Sequence, residues 1–230
     1  MIKNLLRGFG ALSLALAPLI ASTPAQAVHT PTELQAAARV TTFADAIGLV
    51  QVDDEDRTGY TRSSFKHWNS GDIATDGCNT RNEVLLAEAV TAPTVSAGCK
   101  LTGGVWLSYY DGQEVTDPGA LDIDHMVPLA EAWDSGASAW TPARREAYAN
   151  DQGAATSLVA VTARTNRQKS DQDPADWLPP APEAQCRYVG EWVATKLRWQ
   201  LSADAIELEA LKVFADGPCE DTVVSYKPAP

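Results

Sequence analysis

Long apolar runs are missing from this 230-residue chain. Beyond its first 27 residues, no stretch approaches the roughly 20 apolar residues that a membrane-spanning helix needs. Cysteine is sparse: Cys78, Cys99, Cys186 and Cys219 include no Cys-x-x-Cys pair, which argues against a zinc–thiolate site. Positive charge is in deficit, with 18 Lys and Arg against 30 Asp and Glu and a formal net charge of −12. So acidic a surface repels phosphate backbones at long range, and a nucleic-acid function therefore needs a local basic site or a bound cation. No internal repeat, low-complexity segment or linker divides the chain.

What is present begins with an export signal. Lys3 and Arg7 give a positive start, Phe9 to Ile20 an apolar run broken by Pro18, and Ala25-Gln-Ala27 a small-x-small cleavage site. Residues 1–27 are expected to be a signal peptide and 28–230 a single secreted domain, soluble and without a membrane segment. Its hydrophobic content of 45% suits one domain with a real core. In an oxidising compartment an even count of cysteines favours disulfides, and the pairs Cys78–Cys99 and Cys186–Cys219 each close a moderate local loop.

In chain order, Thr32 to Val50 reads as a helix, and 53–77 as polar loop anchored by Tyr60, Phe65 and Trp68. His67 is read there as a surface or packing residue. An Asn or Thr cap precedes a short helix from about Thr80. Its first turn carries Arg81, against the helix dipole, held either for an anionic partner or in an ordinary salt bridge. Residues 94–110 read as β structure, with a strand at 105–110 forming a hairpin-like pair with a second strand at 121–126. Thr141-Pro142 starts a helix to about Asn150, Leu158–Thr162 is a short β-branched run, and a helix follows from Ala163 to Ser170. Two further helices are expected over 183–197 and 202–214, the latter capped by Ser202. Trp106, Trp133 and Trp177 are read as core.

The stretch Asp122-Ile-Asp-His-Met-Val-Pro128 sets two carboxylates and an imidazole within four residues at a strand's end. Hydrolysis of a phosphodiester needs a deprotonated water, charge neutralisation at phosphorus and a stabilised leaving oxygen. His125 suits the first as general base. Asp124 and the amide oxygen of Asn166 suit a hard divalent cation. Arg164, Arg167 and Lys169 share a helix with Asn166 and can meet phosphate. Between 141 and 170, Arg144, Arg145, Arg164, Arg167 and Lys169 outnumber Glu146 and Asp151, a local basic excess that answers the acidic total.

Three blocks in order, Asp122 to Leu129, Leu158 to Thr162 and Thr165-Asn-Arg-Gln-Lys-Ser-Asp171, resemble the HNH, or ββα-metal finger, nucleases, including the HNH domains of CRISPR effector nucleases. Gly77 to Leu85, Val127 to Trp133 and Asn166 to Trp177 look closer to secreted actinobacterial proteins that share the C-terminal domain of GmrSD-type restriction enzymes. The resemblance covers roughly Tyr60 to Leu211. It implies an α+β fold with a ββα-metal (HNH/His-Me finger) core at about 100–180, surrounded by further helices and stapled by disulfides. It also implies His125 as base and one divalent ion, Mg²⁺ first with Mn²⁺ or Zn²⁺ as alternatives, on Asp124 and Asn166. Asp122 either orients His125 or faces solvent. The family's middle Asn or His, which holds the base's imidazole through its other nitrogen or buttresses the loop, falls at Ser157 by counting back from Asn166; Ser157 is expected to do that work with its hydroxyl or backbone, or Asn150 to reach in. The implied activity is a monomeric endonuclease acting on nucleic acid, DNA first, with little sequence specificity. The rival is a secreted binding or adhesion module that keeps the scaffold without turnover.

Overall fold

The computed structural model describes residues 37–73 and 75–230. The expected signal segment lies outside the described residues, as does the first part of the helix expected over 32–50. The described part of that helix is instead strand β1 (Arg39–Thr42) followed by the short helix α1 (Phe43–Ile47). β1 pairs antiparallel with β10 (Val223–Tyr226), and β-branched Val40, Thr41 and Thr42 suit a strand. The Thr42 hydroxyl then caps α1 by accepting from the Asp45 amide at 3.2 Å.

Five two-stranded sheets are formed among the described residues. Besides β1–β10 these are the parallel pair β2 (Gln51–Val52) with β9 (Ser202–Ala203) and the hairpins β3 (Thr94–Ser96) with β4 (Lys100–Thr102) and β5 (Trp106–Ser108) with β6 (Gln113–Val115). The fifth joins β7 (Leu121–His125) to β8 (Leu158–Thr162), in register from Leu121 opposite Thr162 to His125 opposite Leu158. The pairing expected between 105–110 and 121–126 is therefore not made. Asp111-Gly112, with Gly112 at φ +66°, turns the chain straight back into β6, and β7 waits for a partner more than thirty residues on.

The helices begin where cap chemistry puts them. Asn79 caps α2 (Thr80–Ala87), Thr141 caps α4 (Pro142–Ala149) with Pro142 at its first position, and Thr162 caps α5 (Ala163–Lys169). α3 (Leu129–Asp134) follows Pro128. The long helix α6 (Pro182–Trp199) stops at Gln200, whose φ of +59° leaves the helical region. α7 (Ala205–Ala215) is capped by Asp204, which accepts from the Glu207 amide at 2.7 Å. Ser202, the cap expected from sequence, lies in β9 instead.

α6 is the axis of the main core. Tyr188, Val189, Trp192 and Val193 are fully buried against Phe43, Met126, Val159 and Leu211, and each large side chain removed from water there contributes about 1.5–3 kcal/mol. A second cluster packs Leu121, Ile123, Leu158 and Ala160 on Trp106, Val84 and Leu85. Of the three tryptophans read as core, Trp106 is buried, while Trp133 and Trp177 are half-buried against the main cluster. The expected disulfides are both present. Cys78–Cys99 ties the start of α2 to the β3–β4 turn, and Cys186–Cys219 ties α6 to the turn after α7. Each closes a loop whose restriction in the unfolded chain stabilises the fold by about 3 kcal/mol.

Glu88, at the end of α2, accepts from the Ala160 amide at 2.8 Å. Burial pushes its carboxyl up to about 7, only partly opposed by that amide. The folded chain then holds a proton that the unfolded chain releases near 4.5, so this group's contribution weakens as pH rises from about 4.5 to 7. Glu88→Gln, which keeps the acceptor and removes the charge, should leave stability unchanged at pH 4.5 and raise it by about 2–3 kcal/mol at pH 8. Urea unfolding at the two pH values checks this; the same difference at both would contradict it.

Candidate active site

Alternation along β7 sends Asp122 and Asp124 to one face and Leu121 and Ile123 to the other. The carboxylate face lies under α5, where Asn166 and Lys169, three residues apart, share a side of the helix. Asn166 Nδ2 donates to Asp122 Oδ2 at 3.3 Å, and Lys169 Nζ to Asp124 Oδ2 at 2.7 Å. The Tyr110 hydroxyl donates to the same Asp124 oxygen at 2.6 Å, and Lys169 also reaches the His125 carbonyl at 3.0 Å. Burial pushes the Asp124 carboxyl up and the Lys169 ammonium down, despite their mutual attraction. Lys169, fully buried, is thus not the phosphate contact expected from sequence but a tie across β7 and α5.

His125 is buried at the end of the strand. Its Nε2 lies 2.9 Å from the Ala149 carbonyl. A carbonyl only accepts, so Nε2 carries the hydrogen and the neutral ring keeps its lone pair on Nδ1. Burial lowers the imidazole to about 3, against the Ala149 bond that works to raise it. The ring is therefore neutral at neutral pH.

Of the work expected of Ser157, holding the imidazole falls to the Ala149 carbonyl, while the Ser157 backbone buttresses the chain just past His125. The Ser157 hydroxyl donates to Asp151 Oδ2 at 2.6 Å, and its carbonyl accepts from the Met126 amide at 3.0 Å, one step beyond the β7–β8 ladder. Asp151 is itself gripped by Arg198 at 2.6 and 2.7 Å and by the Trp199 indole at 2.9 Å, which turns Ser157 toward α6. Asn150, the other residue expected to reach the ring, ties down a loop instead. Its Oδ1 accepts from the Asn69 amide at 3.0 Å and its Nδ2 donates to the Lys66 carbonyl at 2.9 Å.

The remaining candidates divide by exposure. Arg81 makes no salt bridge among the described residues: Nη2 donates to the carbonyls of Leu121, at 2.9 Å, and Pro118, at 3.1 Å. Among the described residues Asp122 makes no hydrogen bond with His125; it holds Asn166 and, at 3.4 Å, Arg167. Arg164 and Arg167 are exposed, Arg164 at the edge of a hollow of about 420 Å³ with Asp111, Thr165 and Gln168. The basic excess between 141 and 170 shrinks accordingly. Arg144 is spent on the Trp199 and Pro230 carbonyls, Arg145 on those of Ser64, Ala137 and Trp140, and Lys169 on Asp124.

Sequence reasoning missed Tyr110, which binds Asp124, and Tyr148, Ala149, His67 and Trp68, which border the imidazole. A backbone acceptor such as the Ala149 carbonyl has no residue signature. The His67-Trp68 pair was visible, as an imidazole beside an indole.

Whether a metal could sit here turns on the oxygen donors. Among the described residues nothing donates to Asp124 Oδ1, and the Asn166 amide oxygen likewise has no partner. Carboxylate and amide oxygens are the ligands a hard divalent cation takes, so the donor set fits. A separate acidic group, Glu55, Glu131 and Asp134, has ligand oxygens within 4.8 Å of one another. It is already engaged, Asp134 by Arg57 at 2.5 Å and Glu131 by Lys196 at 2.9 Å. The cleft of about 1280 Å³ bordered by Glu146, Asn150, Arg198 and Pro230 includes none of Asp122, Asp124, His125 or Asn166.

These features define a mixed α and β domain, stapled by two disulfides, with a buried Asp-His pair where a strand pair meets a helix. The chain belongs to the family of the C-terminal domain of GmrSD restriction endonucleases, which matches residues 87–212. It is also similar to a protein of Arthroderma benhamiae described as an "Uncharacterized secreted protein", 37% identical over 201 residues, 87% of this chain and 94% of that one. No solved structure matches.

Removing one partner of a buried pair leaves an uncompensated charge, which costs about 3–5 kcal/mol. Lys169→Met should lower stability by that amount, whereas Arg164→Ala should change it by less than about 0.5 kcal/mol. Urea unfolding of both variants checks this, and equal stabilities would contradict the placement of Lys169.

Proposed function

We propose that this protein is a secreted, metal-dependent endonuclease of the HNH type, hydrolysing phosphodiester bonds of nucleic acid, DNA first, with little sequence specificity. The observation that carries the reading is the neutral His125 ring, locked through Nε2 with Nδ1 left as acceptor, one residue from Asp124 and with its own backbone carbonyl tied to Lys169 of α5. In this reading β7, β8 and α5 are the ββα-metal core within a single exported, monomeric domain over 28–230 that follows a signal peptide. The family match supports a nuclease-related function. The disulfides and the relative's description as secreted support export, and among the described residues no helix is long and apolar enough to cross a membrane.

His125 Nδ1 takes a proton from water as the water oxygen bonds to phosphorus and the bond to the leaving oxygen breaks in line. Burial holds the free ring well below the range of a useful base, but an anionic phosphodiester beside it favours the protonated form and raises it again. Basicity thus develops with substrate in place. Asp124 and Asn166 would hold the divalent cation that HNH nucleases generally use, Mg²⁺ first, which supplies charge neutralisation at the leaving oxygen. Arg164 and Arg167, the exposed cations of α5, meet the phosphate chain. Asp122 keeps Asn166 and Arg167 turned toward β7.

One observation favours the rival reading of a binding module without turnover: Lys169 already neutralises Asp124. Plasmid nicking separates the two. Wild type should nick in Mg²⁺ or Mn²⁺ and stop on adding EDTA, and His125→Ala should lower the rate by at least about 100-fold while circular dichroism shows the variant still folded. Nicking that survives either the substitution or the chelator would overturn the mechanism.

A further inference from the structure

Two consecutive residues at the end of α4, Tyr148 and Ala149, flank His125, and the next, Asn150, reaches a loop that the family match, at 87–212, does not include. The Tyr148 ring lies along one face of the imidazole, with centroids 6.3 Å apart and planes 24° from parallel. The Tyr148 hydroxyl donates to the Val127 carbonyl, which fixes that ring. Ala149 takes the Nε2 hydrogen. Trp68 lies along the imidazole as well, at 5.5 Å and 26°, inside the range where offset aromatic stacking is attractive. His67 closes an edge, perpendicular to His125 at 6.3 Å and to Trp68 at 5.3 Å.

The loop is held in a costly conformation. Trp68 has φ +59°, in the left-handed region that disfavours side chains by about 1–2 kcal/mol. Such strain persists only where surrounding contacts over-determine it. Here they come from both flanks of the indole: Asn150 binds the Lys66 carbonyl and the Asn69 amide, Thr80 N donates to the Asn69 carbonyl at 2.9 Å, and His67 Nδ1 donates to the Phe65 carbonyl at 2.8 Å. Asn150 directly follows the residue that holds Nε2, so one dipeptide fixes both the imidazole and the loop that stacks on it.

We propose that Trp68 is a positioning residue for His125: its indole works with the Tyr148 ring to hold the plane of the imidazole, so that Nε2 stays on Ala149 and Nδ1 stays directed at the reacting water. The proposal rests on the reading of His125 as the base. A hydrogen bond through Nε2 restrains one point of the ring but leaves it able to tilt about that contact. Aromatic faces remove the tilt. Loss of that restraint acts on the chemical step and not on substrate capture, since Trp68 carries no charge and its indole lies along the imidazole.

The test compares wild type, Trp68→Ala, Trp68→Phe and His125→Ala in plasmid nicking with Mg²⁺, and reads the ring nitrogens of His125 by ¹⁵N NMR in metal-free protein at neutral pH. Trp68→Ala should lower kcat by about tenfold or more with KM within about twofold, and Trp68→Phe should recover most of the loss. In wild type the His125 signals should show a single Nε2–H tautomer, and in Trp68→Ala an average of two. An unchanged kcat, a change confined to KM, no recovery with phenylalanine, or a single tautomer in Trp68→Ala would overturn the proposal. If Trp68→Ala unfolds, Trp68→Leu, bulky but without an aromatic face, takes its place in both measurements. If His125→Ala still nicks, the assignment of the base has failed; the NMR measurement then decides by itself whether Trp68 positions the ring.

Discussion

The hydrogen bond from His125 Nε2 to the Ala149 carbonyl is the contact on which the site depends. It selects the tautomer, and so decides which nitrogen can accept a proton. The bond in turn depends on where α4 ends, because Ala149 is the helix's last residue and its carbonyl has no partner further along. Thr141 and Pro142 set the start of α4 by cap chemistry, and Asp151, clamped by Arg198 and Trp199, sets the path of the chain just after it. A helix terminus and a buried ion pair thus place one acceptor against one imidazole.

The acidic chain is short of external cations partly because it uses its cations inside. Lys169, Lys196 and Arg198 are buried against Asp124, against Glu131 and Glu207, and against Asp151. Arg81, Arg144 and Arg145 are tied to backbone carbonyls. On α5 Arg164 and Arg167 remain exposed, and a net charge of −12 opposes a polyanion at long range. In the proposed reading, charge neutralisation at phosphorus then falls mainly to a divalent ion. Partner-free oxygens on Asp124 and Asn166 matter more in this reading than the count of basic residues near them.

Much of the architecture around the site was legible. Leu121–His125, the β-branched run at 158–162 and the helix after it follow from local pattern and caps, and the cysteine pairs follow from loop length. What escaped depends on contacts distant in sequence. β1 looked helical because its partner is Val223–Tyr226, at the far end of the chain, and the 105–110 strand was given the wrong partner because Asp111-Gly112 closes a tighter hairpin. Lys169 read as a surface cation because its helical spacing cannot reveal that Asp124 lies beneath it. His67 and Trp68 looked like packing, and they do pack, against the imidazole proposed as the base.

Crystals of the protein grown with Mn²⁺ would test the central claim through the anomalous scattering of the ion. The account predicts a peak bounded by Asp124 and Asn166, on the Nδ1 side of His125, with Lys169 displaced from its present contact. A peak confined to Glu55, Glu131 and Asp134, or no peak at all, would contradict it.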